Sequence, residues 1–117
     1  MGTITPTQTR ISDAGVFDAH IASWALGNAD TGVAVTLSDA ADRSVQIEGT
    51  FGAATITIQG SNDGSNWQSL TDPQGNAIAR TTAGLKAITE LTRYVRAISS
   101  GGTGTAITVT LFMKGQR

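Results

Sequence analysis

Along most of this chain, apolar residues recur at every second position. "HIASWAL" (20–26) places Ala22, Trp24 and Leu26 on one side and Ile21 and Ser23 on the other. "VAVTL" (33–37) sets Val33, Val35 and Leu37 on a single face. "SVQIEGTF" (44–51) alternates Val45, Ile47, Gly49 and Phe51 with Ser44, Gln46, Glu48 and Thr50, and "ATITIQG" (54–60) repeats the scheme with Ile56 and Ile58. "AITVTLFMK" (106–114) aligns Ile107, Val109, Leu111 and Met113 against Thr108, Thr110 and Lys114. A period of two predicts half-buried antiparallel strands, because successive side chains of a strand point to opposite faces. The threonines on the polar face suit a pleated surface, where β-branching costs little.

Turn chemistry separates these runs. In "FGAAT", Gly52 takes the first central position of a tight hairpin, where a type II′ turn needs positive φ. "DPQGN" spaces Pro73 and Gly75 for a turn, and "SSGGTGT" (99–105) reads as a flexible hairpin linker. Short strands broken at this rate predict an all-β antiparallel sandwich or barrel. "TTAGLKAITELT" (81–92) lacks a wide apolar stripe and holds Gly84, so strand or irregular structure is expected there instead of helix. Residues 1–12, polar and threonine-rich around Pro6, read as an extended N-terminal arm, disordered or laid against a neighbour, with 13–117 forming the sandwich.

With 117 residues, the chain is long enough for one modest core. Net charge is −1 and only 15% of residues are charged, so there is no basic footprint for nucleic acid and no polybasic stretch for an anionic membrane. The chain has no cysteine, which excludes thiol catalysis and cysteine-held zinc and leans toward synthesis in a reducing compartment. "MGTITPTQTRIS" lacks the apolar core of a signal peptide, and Met1-Gly2 is read as a plain start, not an acylation site.

The most motif-like stretch is Ser61-Asn62-Asp63-Gly64-Ser65-Asn66, followed by Trp67. A calcium loop would need several carboxylates and a distal glutamate; only Asp63 ionises here, so a self-bonded turn is expected. Asp13, Asp18, Asp30, Asp39 and Asp42 sit beside small or polar residues and read as solvated turn positions. His20 is the only histidine, and no Gly-x-Ser-x-Gly elbow accompanies it. "GGTGT" precedes a strand and lacks the lysine of a phosphate loop. Neither a catalytic set, a cofactor site nor a metal site is expected. Trp24 and Trp67 are expected to fill the space between sheets, though an exposed tryptophan could also stack on a sugar ring. Arg93 and Arg96 lie three positions apart, an odd step that directs them to opposite strand faces and so away from one basic patch.

Two stretches read together, "QGSNDGSNWQSL" and "RYVRAISSGGTGTAITVTL", resemble discoidin-like (galactose-binding-like) β-sandwiches, in which the Asp-Gly turn and the tryptophan are structural. Over residues 20–115 the chain is more similar to small virion structural proteins of tailed bacteriophages. "VQIEGTFGAATITIQGSNDGSNW", "TDPQGNAI" and "RYVRAISSGGTGTAITVTLFMKG" carry that likeness. The resemblance implies a jelly-roll or discoidin-like sandwich with no enzymatic activity. It implies synthesis in the bacterial cytoplasm and a place in the virion as a capsid cement or decoration subunit, or as a neck or tail component. The implied partners are the major capsid protein or other virion proteins, together with further copies of the chain, a trimer being one such assembly. The alternative is a carbohydrate-binding module using Trp67, Asn62 and Asp63.

Overall fold

In the computed structural model, residues 2–12, 18–36, 40–90 and 92–115 are described. They form twelve strands: β1 (Thr3–Ile4), β2 (Thr7–Ser12), β3 (Asp18–Leu26), β4 (Thr31–Gly32), β5 (Val35–Thr36), β6 (Ala40–Thr50), β7 (Thr55–Ser61), β8 (Gln68–Ser69), β9 (Ala79–Arg80), β10 (Gly84–Ala87), β11 (Tyr94–Ser100) and β12 (Ala106–Gly115). Sheet A runs β1-β4-β11-β7-β8, with β5 also paired to β11 and β9 to β7. Sheet B runs β10-β6-β12-β3-β2. Every pairing is antiparallel except β1 with β4. The fold is an all-β sandwich.

The period-two rows meet between the sheets. Trp24 and Leu26, Val45 and Ile47, and Ile107, Val109, Leu111 and Met113 come from sheet B, while Ile56, Ile58, Val95 and Ala97 come from sheet A. Ile56 and Leu111 are fully shielded from solvent; each such side chain contributes roughly 1.5–3 kcal/mol relative to exposure. The turn 71–78 adds Ile78, and Ile88 closes the core below β10.

One antiparallel ribbon builds the centre of both sheets. β6 pairs β12 as far as Thr50↔Ala106, and β7 pairs β11 from Thr55↔Ser100 onward. The ribbon folds over between those two points, so neither Gly52 nor the "SSGGTGT" segment closes a hairpin within one sheet. Both are corners that pass the chain from one sheet to the other. The two corners are fastened together: Thr103 N donates to Gly52 O at 2.9 Å, and Thr105 Oγ1 donates to Phe51 O at 2.8 Å.

The turn at Gly52 is also of a different type from the one expected. Ala54 N donates to Phe51 O at 3.0 Å, and φ is +58° at Gly52 and +69° at Ala53. Positive φ at both central positions makes it type I′, not II′. An alanine in the left-handed region carries about 1–2 kcal/mol of strain, partly offset by the greater unfolded-state entropy of glycine. Ala53→Gly is therefore expected to stabilise the chain by about 0.5–1 kcal/mol. An unchanged or lower urea midpoint would contradict this reading of the turn.

Two further expectations are corrected. Val33 lies 39% exposed because the chain leaves the sheet between β4 and β5, which breaks the alternation with the buried Val35; Leu37 lies outside the described residues. Residues 3–4 and 7–12, read as an arm, lie on the chain's own sheets, β1 along β4 and β2 along β3. Ile4 packs against the core, and backbone ladders tie both strands to their neighbours.

Candidate functional surfaces

The polar turn after β7 is held by its own side chains. Ser61 Oγ accepts from Gly64 N at 2.8 Å and donates to Asp63 Oδ1 at 2.9 Å. The same Oδ1 accepts from Ser65 N and Asn66 N, each at 2.9 Å, and Oδ2 accepts from Asn66 Nδ2 at 2.8 Å. Asn62 Oδ1 accepts from Arg93 N at 2.9 Å, tying the turn to the start of β11. Asp63 and Asn62, the acceptors named for a sugar, thus spend these oxygens on backbone and neighbouring side chains. Gly64, at φ +79°, passes over the Tyr94 ring, where a Cβ would lie 3.4 Å from a ring carbon.

The two tryptophans occupy different places. Trp24 is buried between the sheets, and its indole N–H donates to Val33 O at 2.8 Å. Trp67 is half-buried on the outer face of sheet A, not between the sheets. Arg96 lies over its ring, the guanidinium carbon 4.1 Å from the centroid, and Arg96 Nε donates to Gln59 Oε1 at 2.9 Å from the opposed position on β7. Such cation–π contacts stabilise by roughly 0.5–2 kcal/mol. Burial lowers the Arg96 pKa from its ordinary value.

Arg93 precedes β11, so the odd-step argument does not govern it. Its guanidinium lies 5.1 Å from the centroid of Tyr94, which shares the outer face with Arg96. Sequence reasoning separated the two arginines; the structure sets them on neighbouring aromatic rings. The signal for the Arg96–Gln59–Trp67 set was present in the outward phase of Gln59 and Arg96, but pairing β7 with β11 was needed to see it.

A second polar set closes one end of the sandwich. The buried Asp72 accepts from Asn76 N and Gln74 N at 3.0 Å through Oδ1, with Lys86 Nζ 3.7 Å from Oδ2. Glu90 accepts from Thr71 N at 2.7 Å and from the Thr71 hydroxyl. Arg43, buried on β6, donates to Thr92 O at 2.7 Å, and burial lowers its pKa. Among the described residues, every buried side-chain nitrogen and oxygen has a partner.

Three carboxyls consequently lie below their ordinary range. For Asp63 the main cause is the Asn66 N–H, followed by the Asn66 side chain, Ser65 N–H and Ser61; for Asp72 it is the Asn76 N–H. At Glu90 burial pushes upward, but the bonds from Thr71 outweigh it. A folded carboxyl with a depressed pKa binds its proton less readily than the unfolded chain does. Its stabilisation is present above the unfolded value, about 4, and is lost as pH falls toward the folded one. Tm should therefore be flat between about pH 8 and 5 and fall below about pH 4, with a shallower fall in Asp63→Asn. Constant or rising Tm on acidification would contradict this network.

Of the remaining candidates, Asp30 is structural: its carboxylate accepts from Gly2 N at 2.9 Å and Gly27 N at 2.6 Å. His20 Nε2 sits 3.0 Å from Gln8 Oε1 at the sheet edge. The side chains of Asp13, Asp18, Asp39 and Asp42 lie outside the described residues. No group of three or more His, Asp or Glu side chains is placed to hold a metal among the described residues.

The outward face of sheet B was not singled out from sequence. Its central rows are Leu85, Gln46, Thr110 and Ser23, then Ala87, Ser44, Phe112 and Ile21. Leu85 is 66% and Phe112 38% exposed. Glu48 is the one charged side chain described among these outward positions of β3, β6, β10 and β12. Compared with protein families, curated proteins and solved structures, the chain gives no match.

Proposed function

We propose that this chain is a non-enzymatic bacteriophage virion protein, a cement or decoration subunit that docks on the major capsid protein through the outward face of sheet B. The observation that carries the reading is the chemistry of that face. Its described side chains are mostly hydroxyl-bearing or uncharged, with Glu48 the one charge among them, and it bears Leu85 and Phe112. Desolvating these uncharged side chains costs less than stripping water from charged ones. Two exposed apolar side chains then supply anchors. A contact of this size is weak for one copy. Many copies on one shell, joined to each other, add their binding because each engaged neighbour holds the next close to its site.

The sequence resemblance supports the same reading, as does the bonding of the polar turn, whose acceptors serve the fold. A neck or tail position would use the same docking surface. Synthesis in the bacterial cytoplasm followed by assembly into the virion requires neither disulfide nor cofactor.

The test uses particles stripped of the chain and refilled with purified protein. Leu85→Glu combined with Phe112→Glu should weaken co-sedimentation at least about tenfold, while unfolding free energy changes by no more than about 0.5 kcal/mol per exposed site. Refilling at wild-type affinity would contradict the docking face. Particles lacking the chain that survive heat and osmotic shock as well as complete ones would contradict the cement role.

A further inference from the structure

We propose that the outer face of sheet A around Arg93 and Arg96 binds a carboxylated polysaccharide. This goes beyond docking on a shell and uses the opposite side of the sandwich. The Arg96 guanidinium is fixed in two ways, over the Trp67 ring with its carbon 4.1 Å from the centroid and through Nε to Gln59 at 2.9 Å. Those contacts leave its two terminal nitrogens with no protein partner among the described residues, and no salt bridge to Arg93 or Arg96 is described. Arg93 rests on Tyr94 in the same condition, only its backbone N–H being bonded. A stacked, pre-oriented guanidinium presents a fork that matches a carboxylate bidentately and loses little further side-chain entropy on binding. Two such forks on adjacent rings favour a ligand that repeats its negative charge.

The surroundings decide the kind of ligand. Exposed Ser65, Asn66, Gln68 and Ser69 offer hydroxyls and amides on this side of the sandwich; Leu85 and Phe112 lie on sheet B, and Val33, between β4 and β5, is the large exposed apolar residue described on sheet A. A hydroxylated, acidic sugar chain is matched by these polar groups together with the arginine forks, and polyglutamate distinguishes it from an acidic peptide. The nearest acidic group of the turn, Asp63, is enclosed by hydrogen bonds from Ser61, Ser65 and Asn66.

The experiment titrates the full chain with polygalacturonate and follows tryptophan fluorescence. Trp67 reports, and the buried Trp24 supplies a constant background. Polyglutamate, single-stranded DNA and neutral dextran are the comparison probes. Saturable binding of polygalacturonate is expected, weakening as salt rises to about 0.5 M and absent with dextran. Arg96→Lys keeps the charge but removes the fork, and should weaken binding about tenfold or more. Arg93→Gln, at an exposed side chain outside the core, should do the same with the circular dichroism spectrum unchanged. No binding of polygalacturonate overturns the proposal. Equal or tighter binding of polyglutamate or DNA overturns the sugar assignment, and binding indifferent to both substitutions overturns the placement.

Discussion

Trp24→Ala is expected to lower the unfolding free energy by about 3–5 kcal/mol, a large share of the roughly 5–15 kcal/mol that a domain of this size has. Trp24 projects from the centre of β3 into the core and is 1% exposed. Its ring presses on the backbone of the other sheet: a Cβ built on Gly32 would stand 2.6 Å from the indole Cδ1. Truncation removes the wedge, leaves a cavity between packed sheets, and strips Val33 O of its 2.8 Å donor. Trp24→Phe separates the two losses, since it retains most of the volume and drops the indole N–H, at about 1–3 kcal/mol. Urea denaturation monitored by circular dichroism measures both. A loss below about 1 kcal/mol for the alanine variant would mean that the ring does not join the sheets.

Gly52→Ala should cost about 3 kcal/mol or more, against about 1 kcal/mol for Gly75→Ala. Both glycines have positive φ, +58° and +87°, so strain in the left-handed region is common to the two. Their surroundings differ. A Cβ at Gly75 meets nothing within 4 Å, while at Gly52 it would stand 2.1 Å from Thr103 O, a backbone atom of the other corner. The difference between the variants therefore reports how tightly the two sheet-to-sheet corners are pressed together. Equal costs would show that the corners are independent turns and would remove the folded ribbon from the account.

The strands were legible because their side chains obey one rule over long runs. Val45–Ile47, Ile56–Ile58 and Ile107–Met113 alternate without interruption, and each run is buried as its phase requires. The rule fails where the run is short: between β4 and β5 the chain departs from the sheet, and Val33 turns outward. Turn residues identified the bends but not their partners. Gly52 and Gly101-Gly102 suit a hairpin locally, and only the pairing of β6 with β12 and β7 with β11 shows that both are corners.

The surfaces were harder to read for the same reason. Leu85 and Phe112 sit out of phase with their strands, a signal available to parity, yet their place on one face, on either side of β6, depends on sheet order. Trp67 has the composition of a core residue, and its place outside sheet A follows from Arg96, some thirty positions on, pairing opposite Gln59. The polar turn was different, since every contact that holds it lies within a few residues apart from the bond between Asn62 and Arg93. Local chemistry was legible; long-range register was not.

The most direct test of the docking claim is an electron-microscopic reconstruction of phage particles refilled with the purified chain. The account predicts a sandwich-sized density on the shell, neck or tail, with the strands of sheet B against the particle and Leu85 and Phe112 at the contact. Density seated through the outer face of sheet A, or particles that take up no chain, would contradict it.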